Sequence, residues 1–227
     1  IIMKILYNHQ LFRQKFGGGA RYFVELANNI ALYKNKETTV KIISPSFKTD
    51  YLQNINQKIL FNGIRVSDFK GSVRLCSIMN SFLSPILSKR YAPNIIHDTH
   101  YNAVKFNNGH IKKIITVHDM IHELFPDQFP KENKTTKLKK FAVAEADHVI
   151  CVSKNTQKDL INFYDVDINK TSVIHHGFSF RTREIKKPLK TTRPYLLYVG
   201  SRDGYKNFTR FVEAYSASKI KNFFDLV

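Results

Sequence analysis

Met3-Lys4-Ile5-Leu6-Tyr7, then Gly17-Gly18-Gly19, then Ala20-Arg21-Tyr22-Phe23-Val24-Glu25-Leu26-Ala27-Asn28-Asn29-Ile30-Ala31-Leu32-Tyr33 is the stretch on which the fold turns. A short apolar strand leads through a glycine loop into a helix whose Phe23, Leu26, Ala27, Ile30 and Ala31 recur at helical spacing. The alternation continues outward from there. Thr39 to Ser44 reads as a second strand and Ile59 to Val66 as a third. Residues 72–91 form a helix that Pro85 should cap or kink. Ile95 to His97, Ile114 to His118, His148 to Val152 and Ser172 to Ile174 are further short strands, and Lys154 to Tyr164 is a helix. Apolar strands alternating with helices predict an α/β fold, a Rossmann-like parallel sheet with helices on both faces.

The stretch from about Phe180 to Arg193 lacks apolar periodicity and carries Lys186-Lys187-Pro188 and Thr191-Thr192-Arg193-Pro194, the composition of a linker. The expected organisation is therefore residues 1–179 as a first domain, 180–193 as linker, and 194–227 as the start of a second domain. In the last part Tyr195 to Val199 is read as a buried strand ending at Gly200-Ser201, with a helix to follow. Arg202, Lys206 and that helix N-terminus together suggest a phosphate cradle. Asn222 to Val227 reads as the opening of another buried strand, so the second α/β domain is expected to be truncated.

Thirty-six Lys and Arg against eighteen Asp and Glu give the 227-residue chain a formal charge of +18, which favours anionic partners. The same Lys-, Asn-, Ile- and Phe-rich usage would follow from an AT-rich coding sequence. The basic residues are not interleaved with aromatics in a nucleic-acid-binding module, so no nucleic-acid partner is expected. Cys76 and Cys151 are far apart in apolar sequence and suggest neither a disulfide framework nor a metal site. No apolar run reaches the roughly 18 residues of a membrane span. A cytoplasmic protein is expected, peripheral at most to the inner face of the membrane.

Ligands of open α/β sheets collect beyond the carboxyl ends of the strands, and four features converge there. Gly17, Gly18 and Gly19 with Arg21 offer backbone amides at a helix start, although a flexible turn would use the same glycines and the Gly-x-Gly-x-x-Gly dinucleotide spacing is missing. His118 and Asp119 close a strand, where a histidine can bond substrate hydroxyls or transfer protons; a structural histidine bonded to a carbonyl is the plain alternative. His118 and His122 flank acidic residues, but Met120-Ile121 and Leu124-Phe125-Pro126 read as a strand end and loop, so no metal is expected. Ser153 closes a strand and caps the next helix. Val173-Ile174-His175-His176-Gly177 ends the last strand of the first domain, and adjacent histidines on a strand point to opposite sides, so at most one reaches a ligand.

The order of these motifs resembles the retaining glycosyltransferases of family four, which have the two-domain GT-B fold. Gly17-Gly18 with Arg21-Tyr22, His118-Asp119, Val152-Ser153, Val173-Ile174 with Gly177, and Tyr198-Val199-Gly200 with Lys206-Asn207 follow one another at similar spacing over nearly the whole chain. The resemblance implies a nucleotide-sugar donor, GDP- or UDP-linked, bound in an interdomain cleft with its diphosphate on Lys206 and an arginine. In many members that arginine directly follows the glycine; here Ser201 does, and Arg202 stands one place later. His118 is implied as the residue touching the transferred sugar and Gly18 as part of the loop near donor and acceptor. No cofactor is implied, because cations replace a metal at the leaving diphosphate. The acceptor would be a glycan or a lipid-linked species of surface polysaccharide biosynthesis, and the His-Asp-x-Ile and Gly-Tyr-Lys-Asn-Phe details lean towards a mannosyltransferase.

The resemblance also implies a Glu-(seven residues)-Glu motif that residues 1–227 do not contain. The chain as given is thus expected to be an incomplete and inactive part of a hexosyltransferase. A noncatalytic remnant pairing through Phe223-Phe224 and Leu226-Val227, a sugar-nucleotide epimerase of the same fold and, less favoured, a nucleic-acid-binding protein are the rival readings.

Overall fold

The computed structural model describes residues 2–33, 37–102, 110–131, 133–178, 192–202 and 204–227. The proposed linker, apart from Thr192 and Arg193, lies outside the described residues. By contacts the chain divides into two compact units, Ile1–Glu123 with Asn133–His176, and Leu124–Glu132 with Gly177–Val227.

In the first unit the elements follow as β1 (Met3–Tyr7), α1 (Gly18–Leu32), β2 (Thr38–Ile42), β3 (Ser46–Phe47), β4 (Leu60–Phe61), β5 (Ile64–Arg65), α2 (Ser72–Tyr91), β6 (Ile95–Asp98), β7 (Lys112–Val117), α3 (Ile121–Leu124), α4 (Thr135–Glu145), β8 (His148–Cys151), α5 (Lys154–Tyr164) and β9 (Thr171–Val173). Seven of the strands form one sheet in the order β4-β2-β1-β6-β7-β8-β9, and every pairing is parallel. Alternate side chains of one strand enter different cores. Tyr7 and Ile42 pack with Phe23, Val24 and Ala27 of α1, whereas Leu6 and Ile43 pack with Ile96, Tyr91 and Leu87. Helices therefore cover both faces. A third core joins Ile115, Val117, Val149 and Cys151 to Ala142, Val143 and Leu160 of α4 and α5.

Three expectations change. The single strand over Ile59 to Val66 is two: β4 extends the main sheet, while β5 turns away to pair with β3. Gly63 permits the turn, because a Cβ there would press into the Ser44 carbonyl oxygen and the Phe61 ring. Gly63→Ala should therefore cost about 1–3 kcal/mol, read as a lowered urea midpoint at unchanged m-value. Helix α2 continues through Pro85 to Tyr91, so the proline does not cap it. The stretch after Asp119 is a turn of helix, α3, followed by a 3-10 turn at Pro126–Gln128, instead of a loop. The Asp119 carboxylate starts it by accepting the Ile121 N–H at 3.1 Å.

The second unit contains β10 (Tyr195–Leu196), α6 (Phe208–Ala217) and β11 (Asp225–Leu226), with the two strands parallel and Tyr195 opposite Asp225. The buried strand expected from Tyr195 to Val199 is only two residues long, and Leu197 and Val199 are 62% and 85% exposed. A parallel strand is buried when neighbours and helices cover it, and among the described residues β10 pairs with β11 alone. Tyr198, Phe208 and Phe211 instead form a ring cluster, with centroids 4.7 and 5.9 Å from Tyr198.

Candidate active site

The strand order reverses beside β1: the chain moves outward through β2 to β4, then returns to the other side of β1 with β6. Such a switch point opens a crevice at the carboxyl ends of the strands. Asn8 and His9 follow β1, Thr99 and His100 follow β6, and His118 and Asp119 follow β7. A buried polar network ties the first two ends together. Asn8 Nδ2 donates to Asp98 Oδ1, the Thr99 amide donates to Asn8 Oδ1 at 2.9 Å, and Thr99 Oγ1 donates to the Asn8 carbonyl at 3.1 Å.

His118 is the centre of the edge. Its ring stacks on His176 with centroids 5.4 Å apart, and its Nδ1 lies 3.4 Å from His176 Nε2. Tyr22, from the second turn of α1, sets its ring edge-on to both imidazoles, at 5.2 Å from His118 and 4.9 Å from His176. Below them Tyr22 Oη, Thr116 Oγ1 and His97 Nε2 form a chain with links of 3.3 and 2.9 Å. His118 Nε2 is buried with no hydrogen-bond partner among the described residues. A buried imidazole nitrogen without a partner is costly, so this atom is the group of the cluster most in need of a ligand hydroxyl.

The electrostatics keep the His118, His97 and His9 rings neutral. Burial lowers His118 to about 4, helped by His176 and opposed by Asp119. Burial with the neighbouring His118 takes His97 to about 3, and burial with Arg13 takes His9 to about 4. At neutral pH His118 is thus a hydrogen-bonding group and not a cation.

Of the residues singled out in the sequence, the fold brings His118, Asp119 and the start of α1 to this one edge. Asp119 spends one carboxylate oxygen on the α3 amide, and its backbone oxygen accepts from the Lys139 ammonium at 3.0 Å. Gly17 is the residue before α1, and a Cβ at Gly18 would meet nothing within 4 Å. The site of Gly18 is thus open space beside a helix start. Arg21 is exposed, and its amide bonds the Gly17 carbonyl at 3.2 Å. Ser153 caps α5, accepting the Thr156 amide at 3.0 Å. In the second unit Gly177 is exposed, Arg202 lies over the Phe208 ring at 5.3 Å, and Lys206 ends a 3-10 turn just before α6.

His97 and Thr116 are the site residues that sequence reasoning passed over; Tyr22 enters it only beside Arg21, and His176 only as one of an adjacent pair. The alternation argument for His175 and His176 does not apply, because both lie beyond β9. His175 Nδ1 donates to the Val152 carbonyl at 3.1 Å, which leaves His176 to reach His118. The signal that could have found more of the edge is the recurrence of histidine one or two places after a strand, at His9, His100, His118 and His175. Among the described residues no group of three or more His, Cys, Asp or Glu side chains is placed to hold a metal ion.

A fully parallel sheet covered on both faces, with polar side chains gathered at its switch point, defines a Rossmann-like α/β protein. The model of Glycosyltransferase Family 4 matches residues 16–180, and the chain belongs to that family. The O-antigen chain mannosyltransferase RfbU of Salmonella typhimurium is 26% identical over 177 residues, covering 76% of this chain and 48% of the relative. The chain thus spans about half the length of this curated relative. The crystal structure of a glycosyltransferase from Rickettsia africae shares the fold, with a TM-score of 0.50 at 16% identity over 100% of this chain and 68% of that one.

Proposed function

We propose that the whole protein transfers a hexose, mannose first among candidates, from a GDP- or UDP-linked donor to a glycan or lipid-linked acceptor with retention of configuration. The observation that carries this reading is the unpartnered, neutral His118 Nε2 at the switch-point edge of a family-four chain. His118 bonds a hydroxyl of the transferred sugar, and His176 and Tyr22 hold its ring. The Gly17-Gly18 helix start with Arg21 lies on the acceptor side. Lys206 and Arg202, in the second unit, are the proposed contacts of the leaving diphosphate, supplying the positive charge that transition states of this kind require. The mannose assignment is supported by the name of the Salmonella relative and by the Gly204-Tyr205-Lys206-Asn207-Phe208 motif. No helix among the described residues is long and apolar enough to cross a membrane; the protein works at the inner face of an anionic one.

The test is sugar transfer by the whole protein and its His118→Ala variant, with the anomeric configuration of the product determined. Loss of one positioned hydrogen bond should lower kcat/KM by about a hundredfold or more. An unchanged kcat/KM would remove His118 from the chemistry. An epimerised nucleotide sugar as sole product would replace transfer with epimerisation.

A further inference from the structure

Interior positions of a parallel sheet are ordinarily apolar, yet β6 and β7 place His97 and Thr116 there, each 4% exposed. The His97 ring packs against Tyr7 and Phe23, with centroids 5.4 and 5.1 Å away, and its Nε2 lies 2.9 Å from Thr116 Oγ1. Thr116 and His118 are two places apart where β7 ends, the spacing that puts side chains on one face of a strand. Tyr22 spans the two. Its hydroxyl is 3.3 Å from Thr116 Oγ1, while its ring meets His118 edge-on at 5.2 Å and His176 at 4.9 Å. Thr116 has one hydroxyl proton, so it donates to one neighbour and accepts from the other, and a neutral His97 completes the chain in either direction. Deleting any member leaves a buried polar group unpaired.

We propose that Thr116 and His97 are positioning residues of the sugar-transfer site: through the Tyr22 hydroxyl they fix the ring against which His118 rests, and so aim His118 Nε2. The inference rests on the assignment of His118 to the transferred sugar. His118 has no short side-chain hydrogen bond of its own. Its Nε2 is without a partner among the described residues, and its Nδ1 is 3.4 Å from His176. The orientation of the imidazole is therefore set by the rings around it, and Tyr22 carries the anchor from those rings into the sheet. A group that must meet one hydroxyl of a bound sugar gains from such an anchor, because small misplacements of a reacting geometry are costly in rate. Without the Thr116 hydroxyl Tyr22 would keep its place in α1 and lose the bond that holds its ring.

Steady-state sugar transfer and side-chain NMR of the whole protein test it. Thr116→Val keeps the shape and removes the hydroxyl, whereas Tyr22→Phe keeps the ring and removes its anchor. Each should lower kcat about tenfold with the donor KM changed by less than about twofold, and Thr116→Ser should restore the rate. The His118 and His176 imidazole signals should shift or broaden in Thr116→Val and Tyr22→Phe and return in Thr116→Ser. Ser172→Ala removes a comparable hydroxyl, 2.9 Å from His148 Nε2 where β8 begins, and should leave both readouts unchanged. Added to His118→Ala, Thr116→Val should cost nothing further. Unchanged kcat or unmoved imidazole signals in both hydroxyl-deleting variants overturn the proposal, as does a loss of kcat that is the same with and without His118. If those results come with an inactive His118→Ala, the positioning falls and the role of His118 stands. If His118→Ala is as active as the parent, that role falls and takes this inference with it.

Discussion

Lys139→Met should destabilise the protein by about 3–5 kcal/mol, a large share of the stability of an ordinary domain. Lys139 sits on α4 with its side chain 1% exposed, and its ammonium donates to Glu123 Oε2 at 2.7 Å and to the Asp119 carbonyl at 3.0 Å. Tyr164 donates to the other Glu123 oxygen, and the Lys139 ammonium lies 5.5 Å from the Tyr101 ring centroid. Burial pushes Glu123 up, but its bonds to Lys139 and Tyr164 more than offset this and hold it below the usual carboxylate range. Methionine would fill much of the space and leave that carboxylate buried without its counter-ion, bonded only by the Tyr164 hydroxyl. Urea unfolding gives the difference directly. The double variant Lys139→Met/Glu123→Leu should recover most of the loss, because exchanging a whole buried pair for apolar groups is close to neutral. A single variant as stable as the parent would mean that water already reaches the pair. Since Lys139 holds the backbone of Asp119, the variant should also broaden the His118 imidazole resonance.

Stability should fall steeply between pH 6.5 and pH 5. His9 and His118 titrate at about 4 and His97 at about 3 in the folded protein, all lowered chiefly by burial. Unfolded, each titrates near 6.5. The unfolded chain therefore binds more protons below that value, so this contribution is complete above about pH 6.5 and is lost as the pH falls towards the folded values. Each proton is worth about 1.4 kcal/mol per pH unit, so three together approach a slope of about 4 kcal/mol per unit near pH 5. Glu123 and Asp147, held low by their lysine partners, act in the same direction only below about pH 4.5. The window above pH 5 thus belongs to the histidines. Urea midpoints at pH 7, 6 and 5 check the slope, and His97→Gln should flatten it by about one proton. A midpoint independent of pH over this range would show the imidazoles already charged or hydrated in the native state.

Local patterns carried much of the fold. Met3–Tyr7 and Lys154–Tyr164 occupy the residues expected, and the strands at Ile95, Ile114, His148 and Ser172 differ from expectation by one or two residues at their ends. Such segments are legible because a strand buried on both faces must be continuously apolar, and a helix must repeat every three to four residues. Helix α4 was not legible. Its Thr-Thr-Lys-Leu-Lys-Lys opening carries no apolar periodicity, yet Lys139 within it is buried because Glu123 of α3 pairs with it. Of the site, His118 and Asp119 could be read at a strand end. The Tyr22–Thr116–His97 chain could not, since it joins residues far apart in sequence whose types alone imply no contact.

By itself the sequence determined the alternation of strand and helix, hence a parallel sheet, and placed its polar residues at the carboxyl ends of the strands, because backbone periodicity is a property of neighbours along the chain. The tertiary structure alone decided which side of α2 faces the core, why Lys139 is inside, and which histidine meets His118. Each of those depends on partners brought together by the strand order. A stripe of apolar residues states that a helix has two faces, and only the Ser46–Asn80 hydrogen bonds decide which face of α2 turns inward.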